Sequence, residues 1–219
     1  MKVLFFDLET TDLDGYAVEG AFFLVEIGKK SRLVRSYVGA FNPEAPVSRE
    51  VIKKFYLDPE ALRTFPTFRE EWKRIKPLFL ESDLVVAHNV QFDLKILCNE
   101  LERIGERPNF RPKEYYRYHV ACTCRDTKAA LRFKKLPTLE EWAREMETDF
   151  EKAREFSTKV CKANGYSPNS IRTSPVELHS ASFDTSLLAF SFLKVKRKKP
   201  LFFRFLLERR NNPKLFREV

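Results

Sequence analysis

Asp7 and Glu9 stand one residue apart in Val3-Leu4-Phe5-Phe6-Asp7-Leu8-Glu9-Thr10-Thr11, at the far end of an apolar run. The run reads as a buried strand. A strand carries residues i and i+2 on one face, so both carboxylates aim into one small volume. Burial and like charge each disfavour ionisation there. The pair is costly unless a cation sits between its members, and hard carboxylate oxygens select Mg²⁺ or Mn²⁺. The competing reading has Asp7 capping a turn and Glu9 facing water, and the remaining acids bear on the choice. Asp93 falls near the start of a helix that follows an apolar strand, where the carboxyl end of a parallel strand opens a crevice. Asp184 follows His179 by five residues on the last long helix, close to one and a half turns. That spacing sets imidazole and carboxylate on neighbouring parts of the helix surface, not stacked, where His179 could take a proton from a metal-held water.

The elements that must position these groups follow from the pattern. After the opening strand, Asp12-Leu13-Asp14-Gly15 is a turn, and the apolar run 21–28 is a second strand. Residues 32–41 alternate in part and end at Asn42-Pro43, giving a third strand and an antiparallel meander. From Ser48 the period becomes helical. Short helices start at Ser48 and Asp58-Pro59-Glu60, and a longer one opens at Pro66-Thr67-Phe68 and reaches Leu80. Leu84-Val85-Val86-Ala87 fits a buried parallel strand feeding His88-Asn89-Val90-Gln91-Phe92-Asp93 and an amphipathic run over 94–104. Residues 118–123 are the fifth strand, with helices around 127–133 and 139–146. Residues 147–174 are polar and read as an excursion holding a helix over 150–164. Ser174-Pro175-Val176-Glu177 then has cap, first-turn proline and early acid in the order that starts a helix, which runs through His179, Asp184 and Phe192. The expected fold is α/β: a mixed five-stranded sheet, meander plus parallel strands, flanked by helices.

Composition narrows the class. A chain of 219 residues with 43% hydrophobic and 14% aromatic content can bury a substantial core of its own. Cys98, Cys122, Cys124 and Cys161 lack metal-finger spacing, with Cys122 and Cys124 expected on one strand, so reduced thiols are expected. The first strand starts within a few residues of Met1, which leaves no room for a signal peptide. No apolar run approaches membrane-spanning length, and a cytoplasmic protein without membrane contact is expected. A single Gln and two Met resemble the usage of hot-growing organisms. Of the net charge of +9, residues 194–219 supply +8, as ten Lys/Arg against two Glu. The expected division is therefore 1–193 for the main domain and 194–219 for a basic, apolar tail.

Three segments together resemble a known family, the DEDDh class of 3′→5′ exonucleases, which includes the proofreading epsilon subunits of bacterial DNA polymerase III. They are Phe6-Asp7-Leu8-Glu9-Thr10-Thr11, Ala87-His88-Asn89-Val90-Gln91-Phe92-Asp93 and His179-Ser180-Ala181-Ser182-Phe183-Asp184, and the likeness spans about residues 2–193. The resemblance implies a ribonuclease-H-like fold and two-metal hydrolysis of phosphodiesters. Asp7 would bridge two Mg²⁺ or Mn²⁺ ions, Glu9 and Asp184 would serve the ion that holds the attacking water, and Asp93 would support the second directly or through water. His179 would be the general base, and 5′-mononucleotides would leave a 3′ end. Asp12 stands where the family often has Gly, and 125–178 is longer than in compact members, which bears on the substrate rim. Either Cys122-Thr123 or Asp126-Thr127 takes the place of the family's Asp-Thr.

Neighbouring residues have two readings each. Thr10 and Thr11 either hold the terminal 3′-OH, as in the family, or build the turn. His88 and Asn89 either touch substrate or fix the loop. Leu8 and Phe92 either wedge the terminal base or pack the core. His119 reads as a strand residue. The tail, with Lys196-Arg197-Lys198-Lys199 and Pro200-Leu201-Phe202-Phe203-Arg204-Phe205-Leu206-Leu207, is a docked helix with a solvated charge run, a phosphate grip or a polymerase-binding helix. A membrane-surface helix fits less well, because the apolar part is short and lacks a clean polar face. The leading function is a metal-dependent exonuclease on single-stranded 3′ ends, with DNA expected as substrate in proofreading or repair. The alternatives are an exoribonuclease, a ribonuclease-H-like endonuclease, or a non-catalytic domain of the same fold that binds nucleic acid or a polymerase.

Overall fold

A computed structural model describes residues 1–106, 120–175 and 180–208. Strand β1 (Lys2–Thr10) lies at the centre of a five-stranded sheet. On one side it pairs antiparallel with β2 (Ala17–Glu26), which pairs antiparallel with β3 (Arg32–Ala40). On the other it pairs parallel with β4 (Leu84–Ala87), followed by β5 (Val120–Cys122). The sheet order is β3-β2-β1-β4-β5, the expected mixed sheet with its meander.

Alternation along β1 splits the core in two. Leu4, Phe6 and Leu8 face α3 (Phe68–Glu81) and α4 (Val90–Arg103), where Phe79 meets Phe6 edge-on at 5.7 Å. Val3 and Phe5 face α6 (Leu139–Glu145), α7 (Phe150–Ala163) and α8 (Ala181–Lys198), following α5 (Thr123–Ala130). Phe192 of α8 meets Phe5 at 5.3 Å. Each such large apolar side chain taken from water contributes about 1.5–3 kcal/mol. Short helices α1 (Arg49–Phe55) and α2 (Pro59–Leu62) are capped by Ser48 and Asp58, and α3 by a Thr67–Glu70 capping box, at the expected starts.

Several expectations need correction. β2 begins at Ala17, four residues before the expected 21, because Ala17 to Gly20 continue the ladder opposite Thr10 to Leu8. α4 begins at Val90 rather than 94, and α5 starts directly after β5 and ends before Arg132, whose φ of 57° breaks the helix. Cys122 ends β5 while Cys124 lies in α5, so the two do not share a strand; all four Cys are buried and free. Tyr118 and His119 lie outside the described residues. The supposed excursion is structural: α7 lays Phe156 edge-on to Phe23 of β2 at 5.9 Å and bonds Ser157 Oγ to Ser182 Oγ at 3.0 Å. The last helix does not start at Ser174. Ser180 has extended backbone and its Oγ accepts from the Phe183 amide, so α8 begins at Ala181; His179 lies outside the described residues. α8 runs unbroken to Lys198, and α9 (Pro200–Glu208) buries Phe203 and Leu206 in the Phe192 core. No helix among the described residues is long and apolar enough to cross a membrane.

Candidate active site

The carboxyl-end half of β1 loses its β4 neighbour just before its acids begin, while it stays paired with β2. β4 registers only with Val3, Leu4 and Phe5, so beyond Phe5 that edge of β1 is open. The Leu8 amide there donates to Asp93 Oδ1 at 3.2 Å, which fixes Asp93, in the first turn of α4, against β1. On the other edge the β2 ladder runs on to Thr10 opposite Ala17, with a register shift between Glu9 and Thr10.

Asp7 and Glu9 share the face turned to α8, and Asp184 comes down from the first turn of that helix. One carboxylate oxygen from each of the three lies within 4.8 Å of the others. The cluster is half-buried. Burial, then the charges of Asp93, Asp184 and Glu9, hold the Asp7 carboxyl well above the usual carboxylate range. Glu9 is raised by burial, Asp184 and Glu19, with Arg172 and Lys54 opposing. Burial pushes Asp93 up to about 8 against its backbone hydrogen bonds, and Asp184 to about 7 with Glu19 and Glu140 adding. Hard oxygen donors converging in a half-buried volume with uncompensated negative charge fit a divalent cation. Asp93 is not one of the converging three and reaches Asp7 from the β4 edge.

The surrounding residues divide clearly. Thr10 Oγ1 donates to Asp12 O at 2.6 Å and Thr11 Oγ1 accepts from the Tyr16 amide at 3.0 Å, so both hydroxyls hold the β1–β2 turn. Gly15 is required in that turn, since a Cβ there would meet Thr11 Oγ1 at 1.9 Å. His88 lies between Thr123 Oγ1 (2.9 Å) and the Pro137 carbonyl (3.0 Å) and stacks on Trp142. The carbonyl demands an N–H on Nε2, leaving Nδ1 as acceptor, and burial pulls the imidazole down to about 4. His88 is thus a neutral brace. Asn89 takes left-handed backbone (φ 62°) before α4 without a side-chain cap bond. Leu8 packs in the α3–α4 core, whereas Phe92 is half-buried on a cavity of about 790 Å³ that it shares with Glu9, Thr10, Leu13, Lys54 and Phe55.

Two residues escaped sequence reasoning. Glu19 sits opposite Glu9 in the β1–β2 register, and its Oε2 accepts from Arg172 Nη2 at 2.6 Å, both side chains fully buried. The signal available was an acid inside what proves to be a strand; its cation lies 153 residues away.

With this geometry, comparisons with known proteins become informative. A family model described as exonuclease, RNase_T, matches residues 4–153, which include Asp7 and Glu9 of β1 and Asp93 of α4. The chain belongs to the exonuclease family. A curated relative, the PolC-type DNA polymerase III of Caldanaerobacter subterraneus subsp. tengcongensis, is 29% identical over 107 residues, 46% of this chain and 7% of that protein. Exonuclease X in complex with 5′-overhanging duplex DNA aligns with a TM-score of 0.56 at 16% identity over 95% of this chain and 99% of its own. E. coli Exonuclease I in complex with a dA16 oligonucleotide aligns with a TM-score of 0.62 at 17% identity over 93% of this chain and 42% of its own. At such identities these structures establish the ribonuclease-H-like exonuclease fold, and the chain spans a small part of the polymerase.

Proposed function

We propose that this exonuclease-family chain removes 5′-mononucleotides from single-stranded DNA 3′ ends with the help of two divalent cations, Mg²⁺ or Mn²⁺. The observation that carries the reading is the convergence of Asp7, Glu9 and Asp184 with Asp93 set against β1 beside them. Asp7, central to the four, would contact both ions, with Glu9 and Asp184 on one and Asp93 supporting the other. Bound there, the ions would neutralise the scissile phosphate and stabilise the departing 3′-oxygen. His179 would take the proton of the attacking water. Its assignment rests on the family motif and on its place in the sequence next to Ser180. Phe92, Phe55 and Leu13 would receive the terminal base in the cavity beside Glu9, with Thr10 and Asp12 in its wall.

DNA is favoured over RNA by the DNA-bound state of the two aligned exonucleases and by the polymerase relative. Residues 1–193 would carry the catalytic site, and the stretch from 194 onward, whose Phe203 and Leu206 pack into the core, would offer Leu201 and Phe205, 78% and 46% exposed, to a polymerase. Digestion of matched 5′-labelled DNA and RNA oligonucleotides, with and without Mg²⁺, tests the reading. Stepwise shortening of DNA from the 3′ end with mononucleotide release, abolished by chelation, is expected. Cleavage of circular single strands, or digestion undiminished after exhaustive chelation, would overturn it.

A further inference from the structure

The acids from β1 need little explanation, since strand alternation aims Asp7 and Glu9 together. Asp184 is different: it rides on a helix whose depth and rotation must be set to within a fraction of an ångström for three oxygens to share an ion. The Glu19 carboxylate is where that setting is made. Its Oε2 accepts from Arg172 Nη2 at 2.6 Å, and the Ala181 amide at the head of α8 and the Tyr166 hydroxyl lie close enough to favour its charged form. Thr185 Oγ1 adds a bond to the Ala21 carbonyl at 3.4 Å, one turn further along the same helix. Arg172 is anchored in turn: its guanidinium also reaches the Pro168 carbonyl, and the backbone around it is pinned to the α1–α2 connection by Asp58 N to Ile171 O at 2.9 Å and Thr173 N to Tyr56 O at 2.8 Å. A lone carboxylate at zero exposure is strongly disfavoured, so Glu19 can hold that place only with its cation.

We propose that Glu19 and Arg172 form a positioning pair, which seats the first turn of α8 on β2 and so holds Asp184 in metal-binding register with Asp7 and Glu9. The inference rests on the metal-dependent reading above. It also gives the segment before α8 a task beyond filling space, because the pair joins β2, the 165–175 stretch and the helix that carries Asp184 at one buried point.

The test uses the full chain and Mn²⁺ as the probe. On charge alone, R172M would tighten Mn²⁺ binding by removing a cation near Glu9 and Asp184, and E19Q would weaken it. In E19Q/R172M the two charge effects cancel, and replacing a buried ion pair by neutral groups of similar size is often tolerated. The double variant is expected to fold yet bind Mn²⁺ roughly 10–100-fold more weakly, the scale seen when groups behind metal ligands are removed. kcat should fall with it while KM for the oligonucleotide holds. A folded double variant with parental Mn²⁺ affinity and kcat overturns the proposal. Should the double variant not fold, R172K decides: it keeps the charge but loses the planar fork, so a weakened Mn²⁺ site supports the proposal and a parental one overturns it. A parent chain that binds no Mn²⁺ and digests nothing instead defeats the exonuclease reading itself.

Discussion

The two sides of the acidic cluster are held by different means. Asp7 and Glu9 are placed by the two-residue repeat of one strand, a local device that needs only β1 to form. Asp184 is placed by a helix start whose seat is a buried carboxylate on β2, neutralised by an arginine more than a hundred residues downstream. The strand side is robust and the helix side is contingent. Substitutions that remove a ligand should therefore act directly on metal binding, while those around α8 should act on geometry or proton transfer with the strand acids intact.

The largest effect should come from Asp7→Asn. Losing the acid central to the cluster should reduce turnover by roughly 10³-fold, the upper range for one electrostatic partner of the transition state. It should also abolish Mn²⁺ binding in calorimetry, while the metal-free chain melts higher because one buried, repelling charge is gone. A variant that melts lower without metal would show that Asp7 is not under repulsion. His179→Ala comes next, with turnover down roughly 10²-fold, the lower end for one general base, and Mn²⁺ affinity close to parental. Equal loss of metal in both variants would make His179 a ligand and erase the distinction drawn between the two sides.

What was legible in the sequence follows the same division. β1, β4 and the caps Ser48, Asp58 and Thr67 are local signals, and all lie where the pattern puts them. The start of β2 was not legible, because Glu19 and Gly20 argue against a buried strand until Arg172 is known to be near. Ser174-Pro175 and Ser180 both look like helix starts. The structure uses Ser180, whose Oγ caps α8 by accepting from the Phe183 amide. α7 read as polar because its buried face is made of small residues, Ala153, Ser157, Val160 and Cys161. Asp93 was assigned to the right helix turn, but its bond to the Leu8 amide depends on where β4 stops, which no local pattern states.

Smaller effects sharpen the picture at the rim. Phe92→Ala should raise KM for an oligonucleotide about tenfold with little change in kcat, since stacking on one aromatic ring is worth about 1–3 kcal/mol per base. An unchanged KM would assign Phe92 to packing against the α3–α4 core alone. Replacing the exposed Arg197, Lys199 and Arg204 by Gln should lower the slope of log affinity against log salt by at most about 2, roughly 0.7 per phosphate contact on a single strand. Identical slopes for the two proteins would remove the basic end of α8 and α9 from nucleic-acid binding.

The central claim, that buried acids are held together against their own repulsion until a cation compensates them, has a direct thermodynamic signature. Asp93 and Asp184, pushed up to about 8 and about 7, bind protons more tightly in the folded chain than in the unfolded one. Between the unfolded carboxylate pKa near 4 and these folded values, folding takes up protons, so stability is greatest at the acid end of that window and is lost as pH rises through it. Thermal melts of the chelated chain from pH 5 to 8 should therefore show a falling midpoint, and the same series with Mn²⁺ at about 100 times its Kd should recover about 2.7 kcal/mol, most visibly at pH 8. A chelated chain whose stability is flat or rises over that range, and which Mn²⁺ leaves unmoved, would contradict a metal centre at Asp7, Glu9 and Asp184.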